Sequence, residues 1–193
     1  SGIEITKHES AGRFVPLTTI NDSEQLTRFI AEVTPLFHLK PIHAEPLRYI
    51  LSEMIRNVLE HSYSKEGAIV CAQYYKKTNT IRIGIVDTGV GIWQTINKSH
   101  NPKNDLDAIR MALTPGITGT TPREGGTAYN AGAGLFFVKS IATVNKDFFV
   151  IYSGDGFYKL LKRKGEDIVL HADPYEDRHS KKDDMPHWQG TVV

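Results

Sequence analysis

The sequence predicts an α+β protein, a two-layer α/β sandwich with helices laid on a mixed, mostly antiparallel sheet. Three observations predict it. Helical patterns cluster in the first and middle thirds of the chain. Strand-like runs pair chiefly as hairpins, as "GAIVCAQYY" and "TIRIGIVD" do around the polar turn "KKTN". The chain also has the length of one domain, 193 residues, with 40 % apolar and 23 % charged residues, enough to bury a real core. Elements segregated in this way bury their apolar faces by packing helices against a sheet.

Each element follows in turn. "RFVPLTTI" (13–20) has strand composition, and Asn21-Asp22-Ser23 offers an N-cap for a helix over about 23–38. "LKPIH" breaks that helix, and a longer one runs from about Ala44 to Tyr63. After the hairpin, "WQTINKS" and "DLDAIRMAL" read as short helices. The segment "TPGITGTTPREGGTAYNAGAG" is rich in Gly, Thr and Pro, and loops that long inside a compact domain are usually functional or disordered. "GLFFVKSIATVN" starts a helix at Gly134. "DFFVIYSGDGFYKLL", "DIVLHA" and "WQGTVV" return to strand, and the charged stretch "DPYEDRHSKKDDMPH" reads as a solvated loop.

Composition excludes several functions. The net charge is +1 with both signs mixed, so no global field argues for nucleic acid or an acidic membrane. Cys71 is the single cysteine, so no internal disulfide is possible, which fits a reducing compartment. No apolar run approaches the roughly 20 residues that cross a bilayer. A cytoplasmic protein is expected. Ser1-Gly2 reads as a cloning scar and "GTVV" as a strand cut short, so a segment of a longer protein is expected.

Two features point to chemistry. In "LRYILSEMIRNVLEHSY", Glu53, Asn57 and His61 recur every four residues and form one stripe on the helix, bordering its apolar arc. Taken alone, a solvent-edge stripe is the better reading. With a polar ligand above it, the same stripe suits a hydrated magnesium ion and a water or hydroxyl activated by the glutamate. The second feature is Asp87. Ile81, Ile83 and Ile85 alternate toward the core and Asp87 continues that row before Thr88-Gly89-Val90-Gly91. A buried, unpaired carboxylate would cost several kcal/mol, on the order set by charge desolvation, or else take up a proton. It could cap the turn through backbone amides, accept a hydrogen bond from a planar ring amine such as adenine's, or do both.

A second glycine turn, "NAGAGL" (130–135), places Gly132 and Gly134 directly before a helix, whose exposed amides favour phosphate. It is not a dinucleotide fingerprint, and the chain contains no GxxxxGK[ST] phosphate loop. Cys71 reads as strand packing. Trp93 and Trp188 read as packing, and His171, His179 and His187 as solvated histidines, since they match no zinc spacing. Lys76, Lys77, Lys162, Arg163 and Lys164 read as surface charge.

In order, the chain gives E-x-x-x-N on a helix, D-x-G-x-G after a strand, a long loop, G-x-G-L opening a helix, and a late Gly-Thr. It thereby resembles the GHKL, or Bergerat-fold, ATPases over roughly residues 40–193. "SEMIRNVLEHSY" and "NAGAGLFFVK" are most similar to the anti-sigma-factor serine kinase branch. The resemblance implies ATP and magnesium as ligands. It makes Glu53 the general base and Asn57 the magnesium ligand. Asp87 would take the adenine amine, with Gly89, Gly91 and Ile92 shaping the base pocket and Thr191 backing the adenine side. Residues from about 100 to 131 would form a lid over the triphosphate, with Asn130, Gly132, Ala133, Gly134 and Leu135 at the phosphates and His61 close by. Asn130 departs from the pattern, since the anti-sigma branch often has Arg there and sensor kinases Gly. Residues 1–39 are expected to be a dimerisation or docking segment, so a protein partner or substrate and a homodimer are expected. Three functions are open: a kinase for a serine or threonine of a partner protein, an ATPase clamp, or an ATP-gated interaction module without phosphotransfer. A trimmed histidine kinase catalytic domain is a further alternative.

Overall fold

A computed structural model describes residues 12–117, 134–162 and 168–193. These residues form seven strands and five α-helices. The strands are β1 (Phe14–Ile20), β2 (Ala68–Tyr75), β3 (Thr80–Asp87), β4 (Phe149–Gly154), β5 (Gly156–Leu160), β6 (His179–Lys182) and β7 (Trp188–Val192). The helices are α1 (Ser23–Val33), α2 (Pro41–Asn57), α3 (Gly91–Asn97), α4 (Asp105–Ala112) and α5 (Gly134–Val144). The strands make one sheet in the order β1-β2-β3-β7-β4-β5-β6. The mostly antiparallel sheet is antiparallel in every described pairing, and with its helices it forms the α+β sandwich.

Alternation along the strands builds the core. Ala68, Val70 and Ala72 of β2 and Ile85 of β3 are buried together with Leu26, Phe29, Ile30 and Val33 of α1 and with Ile50, Leu51, Met54 and Ile55 of α2. A second cluster joins α3 and α4 to Phe149 and Ile151 of β4 and Tyr158 and Leu160 of β5. Leu135 and Val138 of α5 pack against both clusters, so this helix bridges the two halves. β1 and α1, within the segment expected to serve docking, contribute to the same sheet and the same core.

Caps set several boundaries. Asp22 Oδ1 accepts the Gln25 N–H at 2.8 Å and starts α1. Asn104 Oδ1 accepts the Asp107 N–H at 2.9 Å and starts α4. α1 stops short of residue 38: Pro35 ends the α-helical ladder and residues 34–37 tighten into a 3₁₀ turn. α2 begins earlier than Ala44, with Pro41 in its first turn, where the missing N–H costs nothing. It also ends earlier, and Val58–Ser62 form a π-helical turn closed by Tyr63 at φ 55°.

Two expectations are overturned near the end of the chain. The described part of "DIVLHA", residues 168–172, makes no strand: Ile168, Val169 and Leu170 are exposed and no ladder forms there. The charged stretch 173–187 is not simply a solvated loop. It supplies β6, buries Pro174 and Asp177, and ties itself to three other elements. Specific polar contacts hold this segment, and mean hydropathy carries no record of such contacts. His179 is likewise not a solvated histidine, because its ring stacks between Tyr158 and Tyr175 at centroid distances of 5.4 and 5.3 Å. No helix among the described residues is long and apolar enough to cross a membrane.

Candidate functional site

The site is organised by α2 and the turn after β3. Asp87 ends the inward row of β3 and is only 3 % exposed. Its Oδ1 accepts the Gly89 N–H at 2.8 Å, and Thr191, its partner across to β7, donates through backbone and hydroxyl. No charged partner offsets its burial among the described residues, and desolvation raises its pKa above the ordinary aspartate value. The capping role and an open acceptor are thus compatible.

The glycines of this turn are required by contact. A Cβ on Gly89 would lie 2.0 Å from the Ser62 carbonyl oxygen, and that carbonyl accepts the Val90 N–H at 2.7 Å. The π-helical end of α2 therefore docks directly on the glycine turn. Gly91 opens α3 at φ 76°, and a Cβ there would meet Ser153 Oγ at 2.9 Å.

Ser153 escaped the sequence reading. Its hydroxyl, 1 % exposed, accepts the Ile92 N–H at 2.9 Å, donates to the Gly190 carbonyl at 2.8 Å, and lies 3.4 Å from Thr191 Oγ1. It joins α3, β4 and β7 behind Asp87. The signal was present: Phe149, Ile151 and Ser153 alternate inward on β4 as Ile83, Ile85 and Asp87 do on β3. Ser153→Ala leaves a buried donor and a buried acceptor without partners. The expected result is a loss of about 1–3 kcal/mol of stability, read from the midpoint of urea denaturation.

At the other end, Gly134 starts α5 so close to α2 that a Cβ on it would be 3.7 Å from Asn57 Nδ2. Asn57 is exposed at the last turn of α2. Glu53, one turn earlier and half-buried, pairs with Arg56 at 3.2 Å on the same helix. His61 lies on the π turn between the two ends; its buried Nε2 makes no hydrogen bond among the described residues and lies 3.8 Å from a Glu60 carboxylate oxygen. Leu135 anchors the first turn of α5 in the core. Asn130, Gly132 and Ala133 lie outside the described residues. The stretch expected as a lid begins within the core, because Leu106, Ala108 and Ile109 of α4 are buried, and its remainder from residue 118 lies outside the described residues.

The geometry gathers Asp87, Gly89, Gly91, Ile92 and Thr191 at one end and Asn57 and Gly134 at the other, with α2 linking them. Such features would suit a nucleotide: a sequestered acceptor for a base, and a helix start beside the side-chain amide of Asn57. No group of three or more His, Cys, Asp or Glu side chains able to hold a metal occurs among the described residues. Asn57 could offer a magnesium ion one amide ligand, the others coming from phosphate and water.

Residues 18–145, more than half of the chain, match the family described as the histidine kinase-like ATPase domain. The chain belongs to that family, its fold is the Bergerat ATPase fold, and the family implies ATP as the ligand. No curated protein and no solved structure matches the chain.

Proposed function

We propose that the protein binds ATP with magnesium and transfers or releases its terminal phosphoryl group as a regulatory switch, in the manner of the anti-sigma-factor serine kinase branch. One observation supports the reading: α2 meets the start of α5 through Asn57, and the π-helical turn that follows it meets the glycine turn of Asp87 through Ser62. This continuous helical stretch would support both the base and the phosphate subsites. Asp87 accepts from the adenine amine, while Thr191 and Ser153 hold that carboxylate and the start of α3 in place. Asn57 would hold the magnesium ion, which when bound would neutralise phosphate charge. The amides at the start of α5 receive phosphate oxygens. Glu53 takes the proton from the attacking hydroxyl or water.

A serine or threonine kinase and an ATPase clamp are the two readings, because a carboxylate at Glu53, one turn before Asn57, favours chemistry over a passive module. Calorimetry with ATP, with and without magnesium, tests the core of the proposal. Saturable binding strengthened by magnesium is expected, and no heat at millimolar ATP would refute it. Incubation with ATP labelled at the terminal phosphate then separates the chemistries. A kinase places label on a protein, a clamp only on free phosphate.

A further inference from the structure

We infer that the buried Lys139–Asp177 pair is a positioning device for the phosphate end of the site, holding the start of α5 against Asn57; the inference rests on the nucleotide reading above. Lys139 is the only charged residue of α5, whose other residues are apolar apart from the hydroxyls of Ser140 and Thr143. Its ammonium donates to Asp177 Oδ2 at 2.7 Å and to the His171 carbonyl at 2.7 Å, and both side chains of the pair are 2 % exposed. The second oxygen of Asp177 is buried without a hydrogen-bond partner among the described residues. Such a pair is a poor way to gain stability, since apolar side chains of similar volume often do as well or better in its place. What it supplies is direction: paired donors and acceptors fix the rotation and axial position of a helix that apolar contacts alone leave free to slide.

The anchor on the other side is itself tied down. Asp173 receives two hydrogen bonds from the Arg110 guanidinium of α4, one of them from Nε at 3.1 Å. The Tyr158 hydroxyl of β5 donates to the Pro174 carbonyl at 2.8 Å. His179 closes the segment by stacking on Tyr158 and Tyr175. One strap, residues 171–179, therefore holds both α4 and α5. Lys139 lies five residues beyond Gly134, whose Cα faces the Asn57 amide, so the strap sets the spacing between Asn57 and the first amides of α5.

The test compares wild-type protein with Lys139→Met, with the double variant Lys139→Met/Asp177→Leu, and with Asp177→Glu. Three quantities are measured: the urea midpoint, affinity for magnesium ATP, and affinity for adenosine, which lacks phosphates. The single Met variant strands a buried carboxylate and loses stability, and the double variant recovers the wild-type midpoint. The double variant is expected to bind ATP about tenfold more weakly while binding adenosine within about twofold of wild type. Asp177→Glu keeps the charge but lengthens the strap by one methylene, and it is expected to weaken ATP and spare adenosine in the same way; it decides the matter if the double variant does not fold. ATP bound as tightly as by wild type, or ATP and adenosine lost together, overturns the inference and leaves the nucleotide reading standing. Wild-type protein that binds neither ligand removes both.

Discussion

Glu53→Ala is expected to lower turnover of ATP by about 10²–10⁴-fold, the usual contribution of a positioned general base, while leaving ATP affinity within about twofold of wild type. The separation follows from where the residue sits. Glu53 lies on α2, half-buried, one turn from Asn57, and its described partner is Arg56 on the same helix. Removing the carboxylate therefore strands no buried charge. Arg56 is exposed, and a pair of this kind contributes roughly 0–1 kcal/mol to folding. The variant should fold as wild type does, so a change in rate reports on chemistry. Single-turnover release of labelled phosphate measures the rate, and calorimetry measures affinity. If both fall in parallel, Glu53 shapes the site and the catalytic proposal fails. Glu53→Gln is the companion variant: it preserves size and removes basicity, and it should match the alanine rate.

Much of this arrangement was legible because two periodicities carry it. The inward row of β3 ends on Asp87, and a period of two is enough to mark that carboxylate as buried. The four-residue stripe of Glu53, Asn57 and His61 was equally visible. The π-helical turn at Val58–Ser62 was not, because one widened turn changes no residue type. Yet that turn places the Ser62 carbonyl against Gly89. Ser153 was missed for a related reason: serine on a strand has many bland readings, and only contact with Ile92 and Gly190 distinguishes this one. The strap failed most completely. Apolar residues 168–170 stay outside the sheet and the charged stretch after them enters it. Arg110–Asp173 and Lys139–Asp177 join residues far apart in sequence, which no local window can pair.

Asp87→Asn is expected to weaken ATP binding by about 10- to 100-fold, corresponding to loss of a hydrogen bond to a charged group worth about 1.5–3 kcal/mol. The amide can still accept the Gly89 N–H, but it can turn a donor toward the ring amine that a carboxylate would only accept from. The pH dependence gives a sharper result because stability and affinity run in opposite directions. Burial raises the pKa of Asp87, so the native state holds this proton more tightly than the unfolded chain does. Across the window between the ordinary aspartate value and the raised one, the native state binds more protons than the unfolded state, and stability from this group falls as pH rises. Its contribution is full on the acid side and lost above the raised value. The ionised carboxylate is the stronger acceptor, so ATP affinity should rise with pH through the same window. Asp87→Asn should show neither slope. Melting temperatures and ATP titrations of the two proteins across that range, compared as differences, isolate this one group from every other titrating residue. Equal ATP affinity in the two proteins, or parallel pH slopes, would remove Asp87 from the base pocket.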